Sequence, residues 1–206
     1  YCFSAETVAH FNADSGLDIP TTDPVKAAAA VRGAHRGAWT AWRCDQTVGA
    51  IARIRNALAP FKSGRQYSIN TLPFFRSDFD NAVEEVFGQD VTKLASVVDI
   101  FEVMAYHQIL AKPATWPAVV SADIVKRSGQ KAICTLQAKA LYLEGMHAGR
   151  GRSEDIPADE FAAALEAMED APIEGACVFT LTDLLDARNT EKGQAMIAAL
   201  KGFRNG

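Results

Sequence analysis

The sequence predicts an α/β protein built from parallel strand–helix units. Four segments have the apolar, β-branched composition of strands, and a segment with helical spacing follows each of them. The most prominent strand segment, Asp99 to Gln108, is mostly apolar and ends in polar and aromatic residues. Such a run is typical of a strand in a parallel sheet that helices cover on both faces. Four right-handed units in this order are half of an eight-stranded barrel.

The composition is that of an ordinary globular protein. The chain has 206 residues, enough for one large domain or a piece of one. Its net charge of -4 argues against a nucleic-acid-binding or anionic-membrane surface, and no window is apolar and long enough to span a bilayer. The four cysteines lack CxxC spacing and are interpreted as buried reduced thiols, although a disulfide between Cys134 and Cys177 stays open.

The first part of the chain is predicted to be mainly helical over residues 1–65. Ser4 to Asp14 forms a helix with Ser4 as the N-cap and Gly16 after its end. Asp23-Pro24 starts a second helix, because aspartate caps well and proline suits the first helical position. A long amphipathic helix follows from about Trp39 to Phe61.

Residues 66–206 are predicted to hold four β/α units within the same single domain. The predicted strands are Tyr67 to Leu72, Val97 to Gln108, Lys131 to Ala138 and Gly175 to Thr182. The predicted helices are Ser77 to Phe87, a turn from Asp90, Thr115 to Ser128, Pro157 to Glu169 and Thr190 to Phe203. The segment Glu144 to Asp155 is a loop long enough to be functional.

Several common site motifs are missing from the sequence. No glycine-rich fingerprint follows a strand, and neither HExxH nor GxSxG occurs. His10, His35 and His147 have no mutual spacing suited to a metal and are interpreted as surface residues. We therefore expect no cofactor and no metal.

The order of the elements and a short strand-end motif point to a family. Met104-x-Tyr106 is similar to the Met-x-Tyr of chitinase-type barrels, and Phe179 stands where such barrels usually have a tryptophan under the sugar. With these residues the chain resembles the C-terminal half of bacterial TIM-barrel glycoside hydrolases. The resemblance implies a partial barrel made of strands five to eight with extra N-terminal helices. Ser4 to Asp14 would then be the helical insert after strand four.

Two positions depart from the patterns of these enzymes. His107 stands where chitinases have aspartate, and Gln137 stands where the large retaining glycosidase clan has its glutamate nucleophile. The resemblance therefore implies that the essential acid belongs to strand four, upstream of this chain.

The carboxylates of the chain are weak catalytic candidates. Strand alternation puts Glu102 on the face of Tyr106 but roughly 13 Å lower. We therefore expect a buried structural acid held by a partner from another strand, such as an arginine or lysine. A role for Glu102 as an acid near the substrate stays open. Asp183 either reaches the barrel mouth or caps the helical turn after it. Asp99 is interpreted as a cap or loop contact.

Six residues near strand ends are the candidate sugar ligands. Tyr106 and His107 offer hydrogen bonds, Asn70 and Gln137 offer amides, Phe179 offers a flat apolar face, and Trp116 could line the cleft. For each aromatic residue an alternative stays open. Tyr106 and Phe179 could simply pack in the barrel, and Trp116 could pack at a helix start.

Two functions from different classes fit these observations. The first is a glycoside hydrolase acting on a polysaccharide or oligosaccharide, and the alternative is a non-catalytic carbohydrate-binding or scaffold barrel. A barrel enzyme of another kind is a weaker third possibility, because this fold hosts many reactions. We expect a carbohydrate partner, together with the N-terminal half of the barrel in a longer chain. If the chain is complete, we expect self-association, because open sheet edges are a liability.

Overall fold

The computed structural model describes residues 2–61, 64–140 and 155–203. The chain divides into two compact units. A helical unit contains residues 1–65 and 76–97, and a sheet unit contains residues 66–75 and 98–206. Residues 76–97 thus belong to the helical unit, although they follow the first residues of the sheet unit in the chain.

Side-chain caps begin the first two helices of the helical unit. Helix α1 (Ala5–Ser15) begins where Ser4 accepts a hydrogen bond from the Thr7 amide, and it ends at Gly16, whose φ of 71° is easy only for glycine. Helix α2 (Pro24–Arg32) begins at Asp23, whose carboxylate accepts from two backbone amides. Helix α3 (Arg36–Leu58) starts before the predicted Trp39 and continues into a 3₁₀ turn at Ala59–Phe61.

The core of the helical unit is an aromatic cluster between α1 and α3. Phe11 and Trp39 meet edge to face with ring centroids 5.0 Å apart, and the rings of Trp39 and Trp42 lie 5.1 Å apart. Val8, Phe11 and Trp39 are almost completely buried. Burial of these large apolar side chains is the main term that stabilises the unit.

The segment between β1 and β2 is less helical than predicted. Phe79, Asp80 and Asn81 have positive φ angles, which an α-helix does not allow. Only helix α4 (Ala82–Glu85) forms in the predicted Ser77 to Phe87 segment. Helix α5 (Val91–Leu94) begins at Asp90 as expected, because the Asp90 carboxylate accepts from two amides.

The sheet unit contains four parallel strands in chain order, as predicted. Strand β1 (Ser68–Thr71) pairs with β2 (Ile100–Val103), β2 pairs with β3 (Lys131–Gln137), and β3 pairs with β4 (Gly175–Phe179). The helices of this unit are α6 (Trp116–Ser128), α7 (Ala158–Glu169), α8 (Leu181–Asp186) and α9 (Glu191–Gly202). This α/β arrangement matches a partial TIM-like barrel.

The two faces of the sheet differ in chemistry. Phe101, Val103 and Cys134 are fully buried on one face, where the Cys134 thiol contacts the Pro117 carbonyl of α6. The opposite face carries the alternate side chains, since residues in register on parallel strands share a face. Its polar members include Asn70, Glu102, Thr135 and Gln137.

Two predicted strands are too long. Strand β2 ends at Val103 rather than Gln108, and residues 104 to 111 form a turn. Strand β4 ends at Phe179, because Thr180 caps α8. The predicted loop Glu144 to Asp155 lies outside the described residues except for Asp155. Within the described ranges, no helix is both long and apolar enough to cross a membrane.

Candidate functional site

Two aromatic side chains meet at the carboxyl ends of the strands. Tyr106, in the turn after β2, lies with its ring centroid 5.6 Å from that of Phe179, at an interplanar angle of 31°. Phe179 is the last residue of β4, and β3 lies between β2 and β4 in the sheet. Parallel α/β sheets bind their ligands at this edge. Phe179 keeps 42% of its surface exposed, so the pair offers an accessible apolar surface.

Gln137 lies beneath this edge rather than on its surface. It is in register with Phe179 and is completely buried. Its Nε2 donates a hydrogen bond of 3.1 Å to the Lys139 carbonyl. Its buried Oε1 has no hydrogen-bond partner among the described residues. Since burying an amide oxygen without a donor is costly, this atom is a point where a further hydrogen-bond donor would fit.

His107 is also completely buried, and it forms a pair with a carboxylate. Its Nε2 lies 2.8 Å from Oε1 of Glu160, in the first turn of α7. Its Nδ1 is buried with no partner among the described residues. Burial lowers the pKa of His107 below its ordinary value, and the Glu160 carboxylate opposes that shift. The imidazole is therefore best described as neutral, with Nε2–H donating to Glu160.

Glu102 has a partner from another strand, but this partner is a hydroxyl group and not the arginine or lysine suggested from the sequence. The Thr135 hydroxyl donates a hydrogen bond of 2.9 Å to Glu102 Oε1, from the neighbouring strand and the same sheet face. Glu102 is half-buried rather than fully buried. A half-buried carboxylate that accepts a hydrogen bond from a neighbouring strand is typical of a structural role. Asp99, as predicted, makes a loop contact, accepting from the Tyr67 amide at 2.8 Å.

Asp183 caps a helix, which was one of its two predicted roles. Thr180 and Asp183 form a capping box at the start of α8, in which the Asp183 carboxylate accepts from Thr180 and the Thr180 hydroxyl accepts from the Asp183 amide. Asp183 also lines a cleft of about 250 Å³ with Lys139 and Asp186. Lys192 and Asp155 form an ion pair in the same cleft.

The remaining candidates lie apart from the ring pair. Asn70 is exposed on the edge strand β1, in register with Glu102. Trp116 is only 6% exposed and begins α6, with the Lys112 ammonium 6.0 Å from its ring centroid, so it packs at a helix start. His10 is exposed and His35 half-buried, whereas His147 lies outside the described residues. In the described ranges, no three metal-ligating side chains cluster.

The cysteine prediction was half wrong. Cys44 and Cys134 are buried, but Cys2 and Cys177 are exposed, and all four are free thiols. The register pairs Cys134 with Ala176, so Cys134 and Cys177 point to opposite faces of the sheet. The disulfide that the sequence left open is therefore excluded in this structure.

Among the described residues, Glu160 is the partner of His107 that the sequence analysis did not predict. An acidic residue in the first turn of a helix is common, because it complements the helix dipole. Nothing in the local sequence distinguishes Glu160 from Asp159 beside it. Only the tertiary contact with His107 reveals its position.

Comparison with known proteins supports the fold. No protein-family model matches the chain, and no curated protein matches it in sequence. Among solved structures, it is similar to the PgaB (BpsB) glycoside hydrolase domain from Bordetella bronchiseptica, with a TM-score of 0.68 and 15% sequence identity. The similarity covers 96% of this chain and 52% of that chain, so this chain spans about half the length of that structure. The chain thus has a fold similar to part of a glycoside hydrolase domain.

Proposed function

We propose that this chain belongs to a glycoside hydrolase that acts on a polysaccharide or oligosaccharide. The observation that supports this most directly is the Tyr106–Phe179 ring pair at the carboxyl ends of a parallel sheet. Exposed aromatic rings offer a flat apolar surface that suits the C–H face of a pyranose ring. The similarity in fold to a glycoside hydrolase domain agrees with this proposal.

The sugar contacts in this proposal come from two exposed residues, Phe179 and Asn70, and the half-buried Tyr106. Phe179 packs against a sugar ring, the Tyr106 hydroxyl binds a sugar hydroxyl, and the Asn70 amide binds further along the sheet face. Gln137, which is buried, supports this surface from below. Trp116 supports it indirectly, at the start of α6.

The catalytic acid in this proposal is supplied upstream of residue 1, on the strand that would correspond to strand four. Glycoside hydrolysis usually needs two carboxyl groups that flank the scissile bond. Glu102, Glu160 and Asp183 all lie in the sheet unit, but each has a structural hydrogen-bond partner. A carboxylate from the upstream half of a complete barrel would face the same mouth.

Polysaccharide binding by this chain tests the proposal. Affinity electrophoresis against a panel of neutral, acidic and N-acetylated polysaccharides would compare the wild type with Phe179→Ala. We expect at least one polysaccharide to retard the wild type, and Phe179→Ala to weaken that binding by about 5- to 30-fold, since losing part of an aromatic contact costs ~1–2 kcal/mol.

Phe87→Ala is the matched control, because Phe87 is a comparably exposed phenylalanine in the helical unit. It should bind like the wild type. If no polysaccharide binds, or if both variants lose binding equally, the proposal is wrong. Release of reducing ends by the longer protein would then separate hydrolysis from binding alone.

A further inference from the structure

We propose that His107 is a positioning residue, which holds Tyr106 against Phe179 through its contact with Glu160 and does not itself touch the sugar. The part of this inference that concerns the sugar rests on the proposed function. The structural part, that the His107–Glu160 contact orders the turn after β2, stands on the geometry alone.

The burial of His107 argues against direct contact with a ligand. The side chain is completely buried, whereas Phe179 in the same region is 42% exposed. A sugar could reach the imidazole only after the turn that carries it had moved. Tyr106, which precedes His107 in the chain, is half-buried and is therefore more exposed than His107.

The backbone of this turn has few bonds to the rest of the sheet. The Met104 amide donates to the Thr71 carbonyl at 3.2 Å, which continues the ladder one residue beyond β2. The next hydrogen bonds are local, since the amides of Ala105, Tyr106 and His107 each donate to the carbonyl two residues before. Such bonds shape the turn but do not attach it to other elements. Side-chain contacts must provide that attachment.

The His107–Glu160 hydrogen bond provides such an attachment. It joins the turn after β2 to the first turn of α7 over 2.8 Å. The imidazole is buried and Glu160 keeps about a third of its side-chain surface exposed. A hydrogen bond to a carboxylate in such a place is stronger than one at a fully exposed site. Loss of this bond would loosen the segment that carries Tyr106, the residue next to His107.

Hydrogen exchange of the turn tests this inference without any sugar. In the full chain, Glu160→Ala should speed amide exchange in a peptide covering residues 104–112 by about 10-fold, the change expected for the loss of one charge-assisted bond. Glu160→Gln should keep exchange close to wild type, because its amide oxygen still accepts from Nε2. Glu166→Ala removes the same charge from an exposed position of α7 and should leave exchange unchanged.

Polysaccharide binding gives the second readout. Glu160→Ala should weaken binding by about 3- to 10-fold, and Glu160→Gln should restore it. Unchanged exchange in α6 confirms that the sheet unit of each variant is folded. Unchanged exchange at 104–112 in Glu160→Ala overturns the inference. So does a His107→Gln variant that abolishes binding while the turn stays ordered, because His107 would then be a direct ligand. If the wild type binds no polysaccharide, the proposed function is wrong. The exchange experiment would still test whether the His107–Glu160 contact orders the turn after β2.

Discussion

The rings of Tyr106 and Phe179 lie 5.6 Å apart, although their strands β2 and β4 are not neighbours in the sheet. Neighbouring strands are about 4.8 Å apart, so the two side chains must extend toward each other across the carboxyl end of β3. Gln137, at the end of β3, is completely buried in this region. The ring pair is thus a small apolar surface with a buried amide below it.

The first prediction separates a structural Glu102 from a catalytic one. If a protein that contains this chain cleaves polysaccharide, as proposed, Glu102→Gln should keep that cleavage within about threefold of wild type, because an amide oxygen still accepts from Thr135. Thr135→Val should lower the free energy of unfolding by ~1 kcal/mol, the usual cost of losing such a hydrogen bond. Urea denaturation and a reducing-end assay measure these effects. A large loss of cleavage in a fully stable Glu102→Gln protein would instead identify Glu102 as catalytic.

The second prediction concerns pH. Burial lowers the pKa of His107 in the folded state, and the Glu160 carboxylate on α7 opposes this shift. Lys112 lies close to His107 in the chain, and its backbone amide donates to the His107 carbonyl. The folded state therefore binds fewer protons, and the stability linked to His107 is fully present above the unfolded pKa of about 6.5 and is lost as the pH falls below it. The urea midpoint of the wild type should fall more steeply than that of His107→Gln between pH 7.5 and 5.

The exposed His10 supplies the control for this experiment. His10→Gln should follow the wild-type pH dependence, because His10 is exposed and belongs to the helical unit, whereas His107 and Glu160 belong to the sheet unit. If the urea midpoints of the wild type and His107→Gln fell in parallel with pH, the lowered pKa of His107 would be contradicted.

The third prediction concerns thiol reactivity. Burial raises the pKa of Cys44 to about 11 and that of Cys134 to about 12, while hydrogen bonds from Ser4 and Thr7 lower the pKa of Cys2 to about 7. A thiol reagent at pH 7.5 should label Cys2 and Cys177 in the native protein. It should label Cys44 and Cys134 only in denaturant, because the reaction requires a thiolate that the reagent can reach. Cys2→Ser and Cys177→Ser should each remove one fast thiol. Rapid labelling of Cys134 in the native protein would contradict the assigned sheet face.

The fourth prediction contrasts two glycines of α9. A Cβ at Gly193 would lie 2.0 Å from the Ala187 carbonyl oxygen, whereas one at Gly202 would meet nothing within 4 Å. Gly193→Ala should therefore destabilise the protein by ~1–3 kcal/mol, despite the better helix propensity of alanine. Gly202→Ala should be neutral or slightly stabilising. Thermal unfolding checks both, and equal midpoints for the two variants would mean that α8 and α9 are not packed as described.

The sequence predicts helix starts and strand order well because both depend on local chemistry. Ser4 and Asp23 were predicted as caps, and Asp90 and Thr190 as the residues where helical segments start. Each of the four accepts a backbone hydrogen bond at a helix start. The βα alternation predicts the parallel order, since it leaves few other topologies.

The length of β2 was not predictable because it depends on its neighbour. The apolar run continues past Val103, but β1 ends at Thr71 and supplies one further acceptor, to Met104. The burial of His107 and its contact with Glu160 depend on a helix far along the chain. Such tertiary contacts have no signal in the periodicity of either segment.

The proposed function requires that sugars bind at the carboxyl ends of β2, β3 and β4. Titration of the isotope-labelled chain with an oligosaccharide of whichever polysaccharide binds, followed by NMR, tests it most directly. We expect the largest chemical-shift changes at Tyr106, Phe179 and the residues just after Gln137, and no change in α1. Chemical-shift changes confined to the helical unit would contradict this proposal. So would the absence of any chemical-shift change at a saturating concentration of the oligosaccharide.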